Sequence, residues 1–142
     1  MKIMKIGVIS DTHDHLEAMN KAVSLFKEKK VEQIIHCGDW CSPYTLVMFG
    51  ELVQDMNIPI FSVLGNNEGD YRMLFKKNAT LKNPIQFADV SVLEVSFGNV
   101  HESNDKNPIQ YADVSVLEVS FGNVHGAVYH GHDVAVLNAL LS

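Results

Sequence analysis

Three short apolar runs alternate with two stretches of helical periodicity, and each run ends in a small polar cluster. The runs are Ile3–Ser10, 31–37 and 58–64, with Ile6, Val8 and Ile9 supplying branched bulk in the first. Branched residues without strict polar alternation suit strands covered on both faces. Between the first two runs, Leu16, Met19, Ala22, Val23 and Phe26 recur at the spacing of one helix face, which predicts a helix over Leu16–Lys29. Lys27, Lys29 and Lys30 gather at its end, where the helix dipole favours cations. Ser42 reads as an N-cap with Pro43 in the first helical position, and Leu46, Val47, Phe49, Leu52 and Val53 form the apolar side of the second helix. Strand–helix–strand–helix–strand predicts an α/β fold of parallel strands joined by right-handed crossovers.

Such sheets collect functional residues beyond the carboxyl ends of their strands. Four polar motifs lie at predicted strand ends: Asp11-Thr12-His13, Gly38-Asp39, Gly65-Asn66-Asn67 and His130-Gly131-His132. Asp11 and His13 are two residues apart, so in an extended segment both side chains point the same way and can grip one metal. Asp39 follows a glycine, and its two carboxylate oxygens can bridge two cations about 3.5–4 Å apart. Asn66 offers an amide oxygen to a hard cation, with a turn-forming role as the alternative. His130, nearer its strand than His132, is the fifth candidate ligand. His36 reads as a core or outer-sphere histidine, His125 as remote from the site, and Asp14 and His15 as the start of a helix. Glu68, Asp70 and Arg72 read equally as rim groups or a solvated loop. The oxygen and nitrogen donors suit manganese, iron, zinc or magnesium better than calcium. Two such ions would polarise a phosphoryl oxygen and turn water into hydroxide near neutral pH.

Charge and cysteine usage narrow the partners. The net charge of -6 gives no global attraction to nucleic-acid phosphates, so a phosphate group would have to be held by local metal charge. The two cysteines, Cys37 and Cys41, do not make a disulfide framework, and no Cys-x-x-Cys partner elsewhere completes a zinc site. The start of the chain lacks the apolar core of a signal peptide, and no apolar run approaches the ~20 residues of a membrane span. These features predict a cytoplasmic protein with no membrane contact, and they give no evidence for duplex nucleic-acid binding. At 142 residues the chain suits one domain, 1–142.

After Asp70 the texture changes. A short helix is predicted from Tyr71 to Lys77, and then an internal duplication begins. Residues 82–101 recur as 106–125, differing only in Phe87 against Tyr111. Each copy predicts a strand (88–97 and 112–121) followed by a Gly-Asn hairpin turn, with a change of apolar phase that suggests a bulge. The second copy leads into 124–129 and His130, which makes it the candidate for the sheet interior. The first is then a spare edge strand, open to domain swapping or a homo-oligomer. Asp133 reads as the N-cap of a last helix.

The ordered set Asp-x-His, Gly-Asp, Gly-Asn, His-Gly-His resembles the calcineurin-like metallophosphoesterase superfamily, within it the small prokaryotic phosphodiesterase branch. The resemblance spans residues 1 to about 70 and 130–141. It implies an α/β/β/α sandwich with mixed sheets, incomplete at the C-terminus. It implies two divalent metal ions, manganese first, with iron, zinc, nickel or magnesium as alternatives. Asp11 and His13 would hold one metal, Asn66 and His130 the other, and Asp39 both. Asn67 stands where many relatives carry a general-acid histidine. The family's closing Gly-His-x-His motif is expected beyond the last helix, and the chain ends at Ser142 before it. The implied function is a metal-dependent phosphodiesterase in which hydroxide attacks phosphorus. The alternative from another class is a binding or scaffold module on the same fold.

Overall fold

The computed structural model describes residues 3–87, 92–102 and 113–129. The three apolar runs become β1 (Ile3–Ser10), β2 (Gln33–His36) and β3 (Ile60–Ser62), separated by α1 (Leu16–Lys29) and α2 (Pro43–Val53). They are followed by α3 (Tyr71–Asn78), β4 (Gln86–Phe87), β5 (Val92–Glu102) and β6 (Asp113–Tyr129). The predicted second and third strands are trimmed at both ends, and their C-terminal flanks run into the loops that carry the polar motifs.

Local chemistry accounts for the helix ends. The Ser42 hydroxyl caps α2 by accepting from the Thr45 amide, with Pro43 in the first turn. Asp70 caps α3 through the Met73 amide at 3.0 Å. The His15 ring caps α1 by accepting from the Ala18 amide, and Lys30 closes it in the left-handed region at φ 56°. Among the described residues no helix is long and apolar enough to cross a membrane.

The described strands form one mixed sheet in the order β4-β3-β2-β1-β6-β5. β1 to β4 run parallel, and β6 pairs antiparallel with β1 and β5. The steady progression β1, β2, β3 with right-handed crossovers places α1 and α2 on the same face. There Ile9, Ile34 and Ile60 join Met19, Phe26, Leu46, Phe49 and Trp40 in one buried cluster. The register pairs Val8 with Ile35 and Ile35 with Phe61, so those residues and Ile6 share the other face. Ile6 and Ile35 are buried there too. The sheet is thus apolar on both faces, as branched strands without alternation require. The expected last helix, together with His130 and His132, lies outside the described residues.

The duplicated segment departs from expectation in one respect. Neither Gly-Asn pair makes a hairpin turn: β5 runs through Gly98 and Asn99, and β6 through Gly122 and Asn123. The two copies instead pair with each other as long antiparallel strands. The irregularity falls at a bulge. Phe97 pairs with Val124 and Asn99 with Ser120, leaving Phe121, Gly122 and Asn123 opposite Gly98. The second copy lies beside β1, from Ile3 opposite Ser120 to Ser10 opposite Asp113, and the first forms the sheet edge.

Candidate metal centre

Beyond β1 and β2 the ladder continues into the loops as isolated main-chain bonds. The Cys37 amide reaches the Ile9 carbonyl (2.8 Å), Asp11 reaches Gly38 (3.0 Å) and His13 reaches Asp39 (3.1 Å). The first two polar motifs are therefore zipped together by backbone. The third joins through Asn67, whose amide donates to Asp39 Oδ1 at 2.9 Å and whose carbonyl accepts from the Cys41 amide at 2.8 Å.

Glycine makes this convergence possible at two points. Gly38 has φ 103°, and a Cβ there would lie 2.5 Å from the Gly65 nitrogen. Gly69 has φ 61°, and its Cβ would meet the Cys41 carbonyl at 2.5 Å. Any side chain at either position would push the second and third loops apart. Four non-glycine residues in the first two loops also sit at positive φ: Asp11 (55°), His13 (44°), Asp39 (64°) and Cys41 (66°). Outliers of this kind cost about 1–3 kcal/mol each and persist where the surroundings over-determine them, often at functional sites.

The result is a cluster of three donors. One ligand atom each from Asp11, His13 and Asp39 lies within 4.8 Å of the others. His13 Nε2 is 3.3 Å from Asp39 Oδ2 and 3.8 Å from Asp11 Oδ1. Two ligands about 2.1 Å from one metal stand roughly 3.0–3.4 Å apart, so the set fits a small divalent cation after slight closure. Asp39 is buried, whereas Asp11 and His13 are part-exposed, which leaves an open side facing solvent. Asp11 accepts from the neighbouring Ser10 hydroxyl. His13 Nδ1 lies 3.1 Å from Cys41 Sγ. A cation on Nε2 requires the ring proton on Nδ1, and that proton then faces the sulfur.

The local field is negative. Burial pushes the Cys41 thiol up to about 11, helped by the carboxylates of Asp14, Asp39, Glu68 and Asp11. Burial likewise pushes Cys37 up to about 11, with Asp11 adding to it. Burial opposes charge of either sign, but the carboxylates that add to the rise make the field around Cys41 negative, which suits a cation. Both cysteines are free thiols.

Of the residues expected at the site, Asp11, His13 and Asp39 come together. Asn66 and Asn67 lie exposed on the loop that meets Asp39. His130 is outside the described residues. Asp14 takes a structural part: its Oδ1 accepts from the Ser42 (2.9 Å) and Thr45 (2.6 Å) hydroxyls, joining the starts of α1 and α2. The sequence reading missed two supports. Glu68 is buried, and its Oε1 accepts from the Trp40 amide at 2.6 Å. Trp40, fully buried, donates through Nε1 to Ser62 Oγ at 3.0 Å, tying the Asp39 loop to β3. A lone tryptophan next to Gly-Asp was the available signal for the second; nothing local marked the first.

Comparison with known proteins agrees with this geometry. Residues 4–140 match the family described as the calcineurin-like phosphoesterase superfamily domain. A phosphodiesterase of Methanocaldococcus jannaschii is 37% identical over 101 residues, covering 69% of this chain and 58% of the relative. The solved structure of an archaeal phosphodiesterase superposes with a TM-score of 0.50 at 34% identity, covering 65% of this chain and 52% of that one. The chain therefore spans a little over half the length of these relatives.

Proposed function

The chain belongs to the calcineurin-like phosphoesterase superfamily, and from that premise we propose that it is a divalent-metal-dependent phosphodiesterase acting on a small phosphate diester. The observation that carries this reading is the convergence of Asp11, His13 and Asp39 within 4.8 Å at the ends of two parallel strands. The M. jannaschii relative and the archaeal neighbour are both described as phosphodiesterases, which supports a diester substrate. A scaffold would have no physical need for three convergent donors held at costly backbone angles.

In this reading Asp11 and His13 would hold one cation, Asn66 and His130 a second, and Asp39 would serve both. Manganese is the first choice of metal. Bound cations would neutralise phosphoryl charge and lower the pKa of water. The protein's own contribution is position. The Asn67 amide holds one oxygen of Asp39 and leaves the other turned to His13. Cys41 sets the outer edge of the His13 ring. Asn67, which stands where many relatives carry a general-acid histidine, would orient a leaving group rather than protonate it, since an amide does not titrate near neutrality.

The test is hydrolysis of a chromogenic phosphodiester with manganese, beside Asp39→Ala. Metal-dependent turnover that disappears in the variant supports the proposal. Absence of turnover and of manganese binding in a cooperatively folded wild-type chain would sink it.

A further inference from the structure

We propose that His36, which contributes no ligand atom to the donor cluster, is a positioning residue that locks the two ligand-bearing loops to each other. This rests on reading the Asp11, His13 and Asp39 cluster as a metal site. His36 is fully buried at the end of β2. Its Nδ1 accepts from the Gly38 amide at 3.0 Å. A backbone amide can only donate, so Nδ1 carries no proton and the ring hydrogen of the neutral imidazole resides on Nε2. Nε2 lies 3.1 Å from the Thr12 hydroxyl and therefore donates to it.

Those two partners have particular places. Thr12, also fully buried, stands between Asp11 and His13. Gly38 immediately precedes Asp39 and sits at φ 103°. One ring thus connects the backbone turn that aims the first two donors with the one that aims the third. The ring cannot easily tilt, because it stacks on Trp40 at 3.7 Å and 15° and meets the Phe49 ring edge-on at 6.2 Å. Trp40 is itself fixed through Glu68 and Ser62. The contact set therefore resembles the outer-sphere support that metal ligands need, but here it acts on the loops, through the Gly38 amide and the Thr12 hydroxyl, and not on a ligand ring.

The experiment is calorimetric titration of manganese into wild type, Thr12→Val, Thr12→Ser and His36→Asn, with melting of each metal-free protein alongside. Thr12→Val deletes the acceptor of the Nε2 proton, and Thr12→Ser keeps it. Asparagine keeps an acceptor for Gly38 but is too short to reach Thr12. We expect Thr12→Val and His36→Asn to lose manganese affinity by about 10-fold or more, and Thr12→Ser to stay near wild type. Unchanged affinity in the first two, whatever their melting temperatures, would overturn the proposal in favour of plain core packing. Wild type that binds no manganese would overturn the metal-site reading as well, and does so without any substitution. In case the variants do not fold, magnesium titration of wild type followed by NMR decides. The His36 Nε2 proton and the Gly38 amide should shift in step with His13, and silence at both would count against the lock.

Discussion

The N-terminal β1–β4 half and the β5–β6 pair achieve order by opposite means. In residues 3–87 every strand has a different sequence, and each crossover helix buries its own set of side chains. One register satisfies all of them, because shifting a strand by one residue would turn its helix-facing row to the other side. In the β5–β6 pair two copies of one sequence lie against each other. The eight residues that β1 accepts, 113–120, are identical to 89–96. The ladder alone therefore gives β1 no means of choosing between the copies. A unique register comes from differences between neighbours, and duplication removes them.

The largest effect should come from the half with a unique register. Phe26 is fully buried within the helix-facing cluster, so Phe26→Ala should destabilise by about 3–5 kcal/mol in urea unfolding. A loss below about 1 kcal/mol would mean that this half is not the stable one. Next comes Gly38→Ala. The added methyl meets the Gly65 backbone and the positive φ persists, which should cost about 1–3 kcal/mol and weaken manganese binding in the same protein. A variant that melts like wild type would show that the second and third loops are not pressed together.

A smaller effect tests the duplicated half. Lys5 stands opposite Glu118 in the β1–β6 ladder, and the equivalent residue of the first copy is Glu94. Zero-length carbodiimide coupling should join Lys5 mainly to Glu118, with a minor population joined to Glu94. Tyr111 and Phe87 tell the two peptides apart by mass. Coupling to Glu118 alone would give this half as unique a register as the first, and a Glu94 product found only in dimers would identify a strand swap.

The smallest effect lies on the surface of the first half. Lys27 and Asp55 form an exposed pair at 3.1 Å, and the hydrogen bond from Lys27 holds the Asp55 carboxyl below its usual range. A depressed carboxylate adds stability above its unfolded pKa and loses it as pH falls through the lower folded pKa. Asp55→Asn should slightly flatten the acid side of the stability profile, and salt should erase the difference. A large loss at neutral pH would contradict the pair's exposure.

Much of the first half was legible because its signals are local. Apolar spacing marked α1 and Ser42-Pro43 marked the start of α2, whereas Asp70, read as a rim or loop residue, proved to be the cap of α3. Asp11, His13 and Asp39 were legible as candidates because each follows a strand in a fold that gathers strand ends. The Gly-Asn turns misled for a physical reason: a hairpin signal is local, and pairing between the two copies outweighed it.

By itself the sequence determined the α/β class, the strand–helix alternation and the chemical type of the donors, all properties of short stretches and their periodicity. Only the tertiary structure decided that Gly38 abuts Gly65, that Glu68 holds the Trp40 amide, and that His36 joins Thr12 to Gly38. Those contacts link residues 24 to 28 positions apart, or loops from different strands, and they exist only once β1, β2 and β3 lie side by side. Donor identity is written residue by residue, whereas donor geometry comes from the packing of loops that no local pattern describes.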